Sequence, residues 1–272
     1  LEEAYKKEQI ARCRQIPTEN DNARALLTML EEPVTFENMQ AASEYGKDSA
    51  KAFAKIKEEA ERQTEGEENA LEREISSLEE HFDSKEEAIQ AYRSLTKTET
   101  EILDRAIYES TEVSSMNVKE LGLIYKQISF TAKLADRERY DIPIITKDSV
   151  MALHVQIVHS HEDRGSVEAS MELEGYGELS IKLQVDGKNI KGFFIGSQEG
   201  SQEKLQAIKE EVEKELSRME FRTEQMNIGF RKGLHTDFSP IKEEEQKQVS
   251  TNELYRVAKA VIVTVHREAE RG

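Results

Sequence analysis

The chain has no tryptophan, one cysteine, and aromatic side chains at only 6% of its 272 positions. A single thiol, Cys13, leaves no internal disulfide and cannot close a thiolate metal site. With so few rings, the core must be built from Leu, Ile, Val, Met and Ala. No apolar run approaches the roughly 20 residues a bilayer-spanning helix needs. No charged-then-apolar leader pattern opens the sequence, so a cytoplasmic location is the expectation. Cations are the minority charge: 38 Lys and Arg stand against 55 Asp and Glu, a formal net charge of −17. Binding phosphate requires a clustered basic surface. Neither nucleic acid nor an anionic membrane surface is therefore an expected partner.

Reactive motifs are also missing. There is no G-x-S-x-G, no H-E-x-x-H, no phosphate-binding loop and no G-x-G-x-x-G. The two glycines of "GYGE" (Gly175 to Glu178) open no helix and mark a turn. Cys13 has no histidine near it in sequence to activate it. Paired carboxylates abound, but with 55 acids no particular pair stands out. The one cluster with metal-ligand character is His154, His159, His161, Glu162 and Asp163. A zinc site needs three or four convergent ligands, and on a strand His159 and His161 share a face while His154 takes the other. The plainer reading is polar residues on a strand end and turn. No cofactor is expected, and the protein is expected not to be an enzyme.

What is present is periodicity. Residues 1–140 repeat apolar residues at the 3.6 spacing of helices and contain only Gly46, Gly66 and Gly122. Stripes run through Ala25–Leu30, Ala50–Ile56, Leu71–Phe82, Ala88–Leu95, Ile102–Ile107 and Leu121–Ile128. Thr35 is a candidate N-cap with Gly46 as its C-terminal stop, and Ser84 with Glu87 reads as a capping box. Five to seven short helices are expected. The acidic stretch "KIKEEAERQTEGEENALEREISSLEEHF" reads either as a docking surface for a basic partner or as a solvated helix face.

From residue 150 the period changes to 2. Met151, Leu153, Val155 and Ile157 alternate with polar or small residues, then Val167, Ala169, Met171 and Leu173, then Leu179, Ile181, Leu183 and Val185. This spacing predicts a meander of antiparallel strands. Asp186-Gly187 fits a two-residue type I′ turn, which would set Leu183 against Ile190, Lys182 against Lys191 and Ser180 against Phe193. Leu205, Ile208, Val212, Leu216 and Met219 form one stripe on a helix begun near Ser201, and Met226, Ile228 and Phe230 alternate as a short further strand. After a polar linker, Ser250 and Glu253 open a last amphipathic helix, although its "AVIVTV" run is β-prone.

The expected fold is α+β, with an acidic all-helical region at 1–140 and a small, mostly antiparallel sheet covered by one helix at 141–235. A linker and C-terminal helix follow at 236–272. The function must then come from surface. Lys182, Lys191 and Phe193 fall on the side of the hairpin away from its apolar face. Phe193 is either packed under a second layer or an exposed anchor for a partner.

Residues 171–230, "MELEGYGELSIKLQVDGKNIKGFFIGSQEGSQEKLQAIKEEVEKELSRMEFRTEQMNIGF", resemble the C-terminal domain of flagellar hook-length control proteins. The shared order is alternating strand, second strand, helix, short strand, carried here by Leu179, Ile181, Leu183, Val185, the turn and the Leu205–Leu216 stripe. The preceding "IPIITKDSVMALHVQIV" is similar to what precedes this domain in uncharacterised clostridial proteins. The family's usual Pro-x-x-Leu-Gly entry is replaced by Gly175 to Glu178, and its long polar upstream segment by acidic helices. The resemblance implies a non-enzymatic role: contact with a cytoplasmic component of the flagellar type III export gate, and passage of the protein itself through the flagellar apparatus. The broader alternative is a scaffold whose acidic helical half binds a basic partner.

Overall fold

The helical stripes of the first part pack first on one another and then on the end of a sheet. The computed structural model describes residues 21–46, 49–63, 65–110, 115–146, 149–160, 164–174, 176–231 and 251–271. Within them the helices are α1 (Asp21–Met29), α2 (Phe36–Tyr45), α3 (Ala50–Gln63), α4 (Glu65–Glu80), α5 (Lys85–Ser110) and α6 (Ser115–Ala135). Local chemistry sets several ends. Thr35 Oγ1 accepts the Asn38 N–H at 3.2 Å, and Ser84 Oγ accepts that of Glu87 at 3.3 Å. Gly46 ends α2 but stays in the right-handed region (φ −68°), so it acts as a stop without a left-handed turn. Cys13, Ser250, His161, Glu162 and Asp163 lie outside the described residues.

A six-stranded sheet follows, in sequence order β1 (Arg139–Ile145), β2 (Val150–His159), β3 (Arg164–Leu173), β4 (Gly177–Asp186), β5 (Asn189–Gly196) and β6 (Arg222–Phe230). Neighbours are antiparallel except β5 and β6, which run parallel through the crossover helix α7 (Gln202–Arg218). The last helix is α8 (Thr251–Arg271). The architecture is α+β.

One face of the sheet is apolar. Tyr140, Ile142 and Ile144 on β1 continue into Leu153, Val155 and Ile157 on β2, Val167, Ala169 and Met171 on β3, and Leu179, Ile181 and Leu183 on β4, all buried. The expected covering helix is α7, whose Leu205, Ile208, Val212 and Leu216 are buried. Beside it lies α8, packed over β2 and β3. Its Leu254, Val257, Ala258, Val261, Ile262 and Val265 are inside. Burial on this scale, about 1.5–3 kcal/mol per large apolar side chain, outweighs the β-propensity of the "AVIVTV" run, so it is helical. These residues and those of α3 to α6 form one continuous buried cluster. A smaller one joins α1 and α2 to Phe130 and Leu134 of α6.

Two sequence expectations are corrected. The first strand begins at Arg139, well before residue 150. It shows no alternation because six of its seven residues are buried, on both faces, and it contains Pro143. The proline is tolerated because β1 is the outermost strand at that end. The tight turn is also displaced by one residue. Asp186 pairs with Asn189 and Val185 with Ile190, so the two central residues are Gly187 and Lys188, not Asp186 and Gly187. Gly187 alone takes a positive φ, +55°. That is the type II′ preference for glycine first, and it spares Asp186 a left-handed backbone. Leu183 therefore faces Gly192, Lys182 faces Phe193, and Ser180 faces Ile195. Because the slip is two residues on the partner strand, every side chain keeps its face. Ser201 precedes α7 but makes no side-chain cap; its backbone is engaged instead, the N–H donating to the Gln198 carbonyl at 3.3 Å and the carbonyl accepting the Leu205 N–H at 2.8 Å.

Candidate docking face and two buried polar clusters

The face of β3 to β5 turned away from α7 and α8 carries Glu168, Ser170, Ser180, Lys182, Gln184, Lys191, Phe193 and Ile195. Strand alternation puts Phe194 wholly inside and its neighbour Phe193 outside, 51% exposed. Among the described residues no second layer packs over it. Lys182 lies directly across from Phe193 on β4, and Lys191 lies two residues before it on β5. The structure therefore brings the three sequence-derived residues onto one patch. Each lysine is held by a carboxylate: Lys182 by Glu168 from β3, and Lys191 by Glu224 from β6 at 3.3 Å. All four side chains are about half exposed, and such pairs contribute about 0–1 kcal/mol. They orient the patch without sealing it. Among the described residues the other exposed large apolar side chains are Val34, Tyr108, Tyr125 and Phe230. Only Phe230 belongs to the same end of the sheet.

The acidic stretch shows mainly local pairing. Lys55 meets Glu58 at 2.9 Å and Glu59 at 3.3 Å, Lys57 meets Glu61 at 2.7 Å, and Arg62 meets Glu59 at 2.8 Å. Phe53, Ile56, Leu71, Ile75 and Leu78 are buried on the other side of the same helices.

Two polar clusters that the sequence did not announce tie the helices to the sheet. Asp141 of β1, 5% exposed, accepts the Tyr45 hydroxyl and lies 2.7 Å from His154 Nδ1. Its carbonyl accepts the Tyr92 hydroxyl at 3.0 Å. Burial first, then the charge of Asp141, raises both phenols well above their usual range. The same two causes push Glu99, which is 1% exposed, up to about 8. Glu99 is thus a neutral acid at pH 7. Its Oε1 has no hydrogen-bond partner among the described residues.

The second cluster centres on Glu138, a non-glycine residue with φ +59° between α6 and β1. Its Oε1 accepts the Tyr255 hydroxyl at 2.9 Å and lies 2.9 Å from His159 Nε2, with Lys85 Nζ 3.4 Å from Oε2. Tyr140 and Tyr255 bring their hydroxyls to 2.9 Å, and Phe82 meets Tyr140 edge-on at 5.0 Å. Burial would raise the Glu138 carboxyl. The His159 hydrogen bond and charge, Lys85 and Tyr255 outweigh it and hold the group below its usual value.

These clusters place His154 and His159 on opposite faces of β2, each engaged with its own carboxylate, so the two do not converge. Among the described residues no three His, Cys, Asp or Glu side chains are grouped to hold a metal. No described helix is long and apolar enough to cross a membrane. Comparison with protein-family models, with curated proteins and with solved structures finds no match for the chain.

Proposed function

We propose that the chain is a non-enzymatic protein–protein interaction module whose working surface is the open sheet face around Phe193. The observation that carries this reading is an aromatic ring half in water on a rigid strand, flanked by two lysines. Buried on a partner, such a ring is the kind of side chain that dominates interface energy, and cations at its rim select an acidic surround. Half-buried serines, Ser170 and Ser180, and the exposed Gln184 around it offer hydrogen bonds without steric bulk.

The resemblance of residues 171–230 to hook-length control domains supports a narrower version, in which the partner is a cytoplasmic component of the flagellar export gate. The test is titration calorimetry of the full chain against the purified cytoplasmic domain of that component. Binding weakened roughly tenfold or more by Phe193→Ser, with the fold unchanged by circular dichroism, is the expected result. Absence of binding removes the export reading. Binding indifferent to Phe193→Ser but lost on reversing Glu58 and Glu61 moves the surface to the acidic helices.

A further inference from the structure

Among the described residues β6 is the outermost strand at its end of the sheet and pairs on one side only, with β5. The pairing slips once. Ile190 faces Thr223 and Gly192 faces Met226, so β6 carries one extra residue between these points. A bulge of this kind blunts the first part of an edge. Beyond it the ladder is regular from Met226 to Phe230. The N–H of Arg231 donates inward to the Gly196 carbonyl at 3.1 Å. By alternation, Asn227 and Gly229 also turn their backbone groups toward β5, and Met226, Ile228 and Phe230 turn theirs outward. Natural edges are commonly guarded by lysine or proline, and neither occurs between Met226 and Phe230.

The side chains of the same three residues form an incompletely covered apolar row. Met226 and Ile228 are half-buried, and Phe230 is 48% exposed. Ile228 and Phe230, with Leu205 of α7, line an open cleft of about 250 Å³.

This edge is complementary to itself. Set antiparallel to a copy with Ile228 opposite Ile228, Met226 falls opposite Phe230, and all three outward residues of each chain enter hydrogen-bonded pairs with their apolar rows on one side. In that register Arg231 comes beside Gln225 and Glu224 of the other copy. Arg231 is exposed and meets no carboxylate among the described residues. Among the described residues Glu224 pairs with Lys191, at 3.3 Å, and is 46% exposed. The two-fold axis therefore repeats an unlike-charge contact at both ends of the apolar row. Centring on Met226 instead would set Ile228 against the bulge at Glu224 and break the outward pattern.

We propose that the chain forms a two-fold symmetric dimer through β6, joining two six-stranded sheets edge to edge. The apolar row of this interface lies on the face opposite Phe193; Glu224, which holds Lys191 at 3.3 Å, is the one residue it shares with the Phe193 patch.

Analytical ultracentrifugation of the full chain across a broad concentration range tests it. The expected result is a reversible rise from 31.1 kDa to about twice that mass. Arg231→Glu, which alters only an exposed side chain, should weaken dimerisation roughly tenfold or more by setting like charges together. Glu224→Arg combined with Arg231→Glu should restore it. Ile228→Pro, which removes an outward N–H, should leave a monomer, and Phe193→Ser should leave the dimer unchanged. A wild-type chain that stays monomeric throughout overturns the proposal. So does a dimer whose strength ignores Arg231→Glu.

Discussion

Glu99 and Glu138 are buried carboxyls driven in opposite directions, and each leaves a pH signature. Glu99 titrates near pH 4.3 in an unfolded chain and at about 8 in the folded one. Between those values the folded state holds a proton the unfolded state lacks, so stability falls as pH rises and levels off above about pH 8. Glu138 is depressed in the fold. Its contribution is complete above about pH 4.3 and is lost as pH falls through the lower folded value. The isosteric Glu99→Gln removes only the first dependence. It should raise stability by on the order of a few kcal/mol at pH 8 and above, with little change near pH 4, as read from urea unfolding at both pH values. An equal gain at both would mean that Glu99 is not held neutral.

At the scale of elements, close approach decides where helices meet the sheet. Gly165 on β3 lies under α8. A methyl group there would come 2.7 Å from both Leu254 Cδ1 and the Val158 carbonyl oxygen. Gly165→Ala should therefore cost about 1–3 kcal/mol through overpacking, measured by thermal unfolding, and a neutral effect would show that α8 sits further from the strand. The elements differ in how well the sequence announced them. Strands β2 to β4 were legible because one face is buried and the other is not, which prints the period directly. The stripe Leu205 to Leu216 was legible for the same reason. β1 was not, since burial on both faces erases alternation. The turn at Gly187 sits one residue later than Asp-Gly alone suggests, because that dipeptide satisfies two turn types and only the backbone chooses between them. Of the clusters around Asp141 and Glu138, the sequence marks only His154 and His159 and gives no sign of their carboxylate and tyrosine partners. Tyr45 and Asp141 are 96 residues apart, and Glu138 and Tyr255 are 117 apart, so only the fold brings them together.

At the scale of the whole molecule, one buried cluster runs from Ala52 to Ala269, so the helical part and the sheet share their core. This core braces the apolar face of the sheet from one side and leaves the opposite face of β3 to β5 open as a firm platform. The candidate site was legible in part: alternation put Phe193, Lys182 and Lys191 on a common face, while their spacing depended on the turn. The claim that this face, with no reactive group of its own, works by contact is tested most directly by photo-crosslinking in cells. A photoreactive phenylalanine analogue would replace Phe193 in one chain and Tyr108, 78% exposed on α5, in another. The account predicts a discrete adduct to another protein from position 193 and none from position 108. Adducts from position 108 alone, or from neither position, would contradict it.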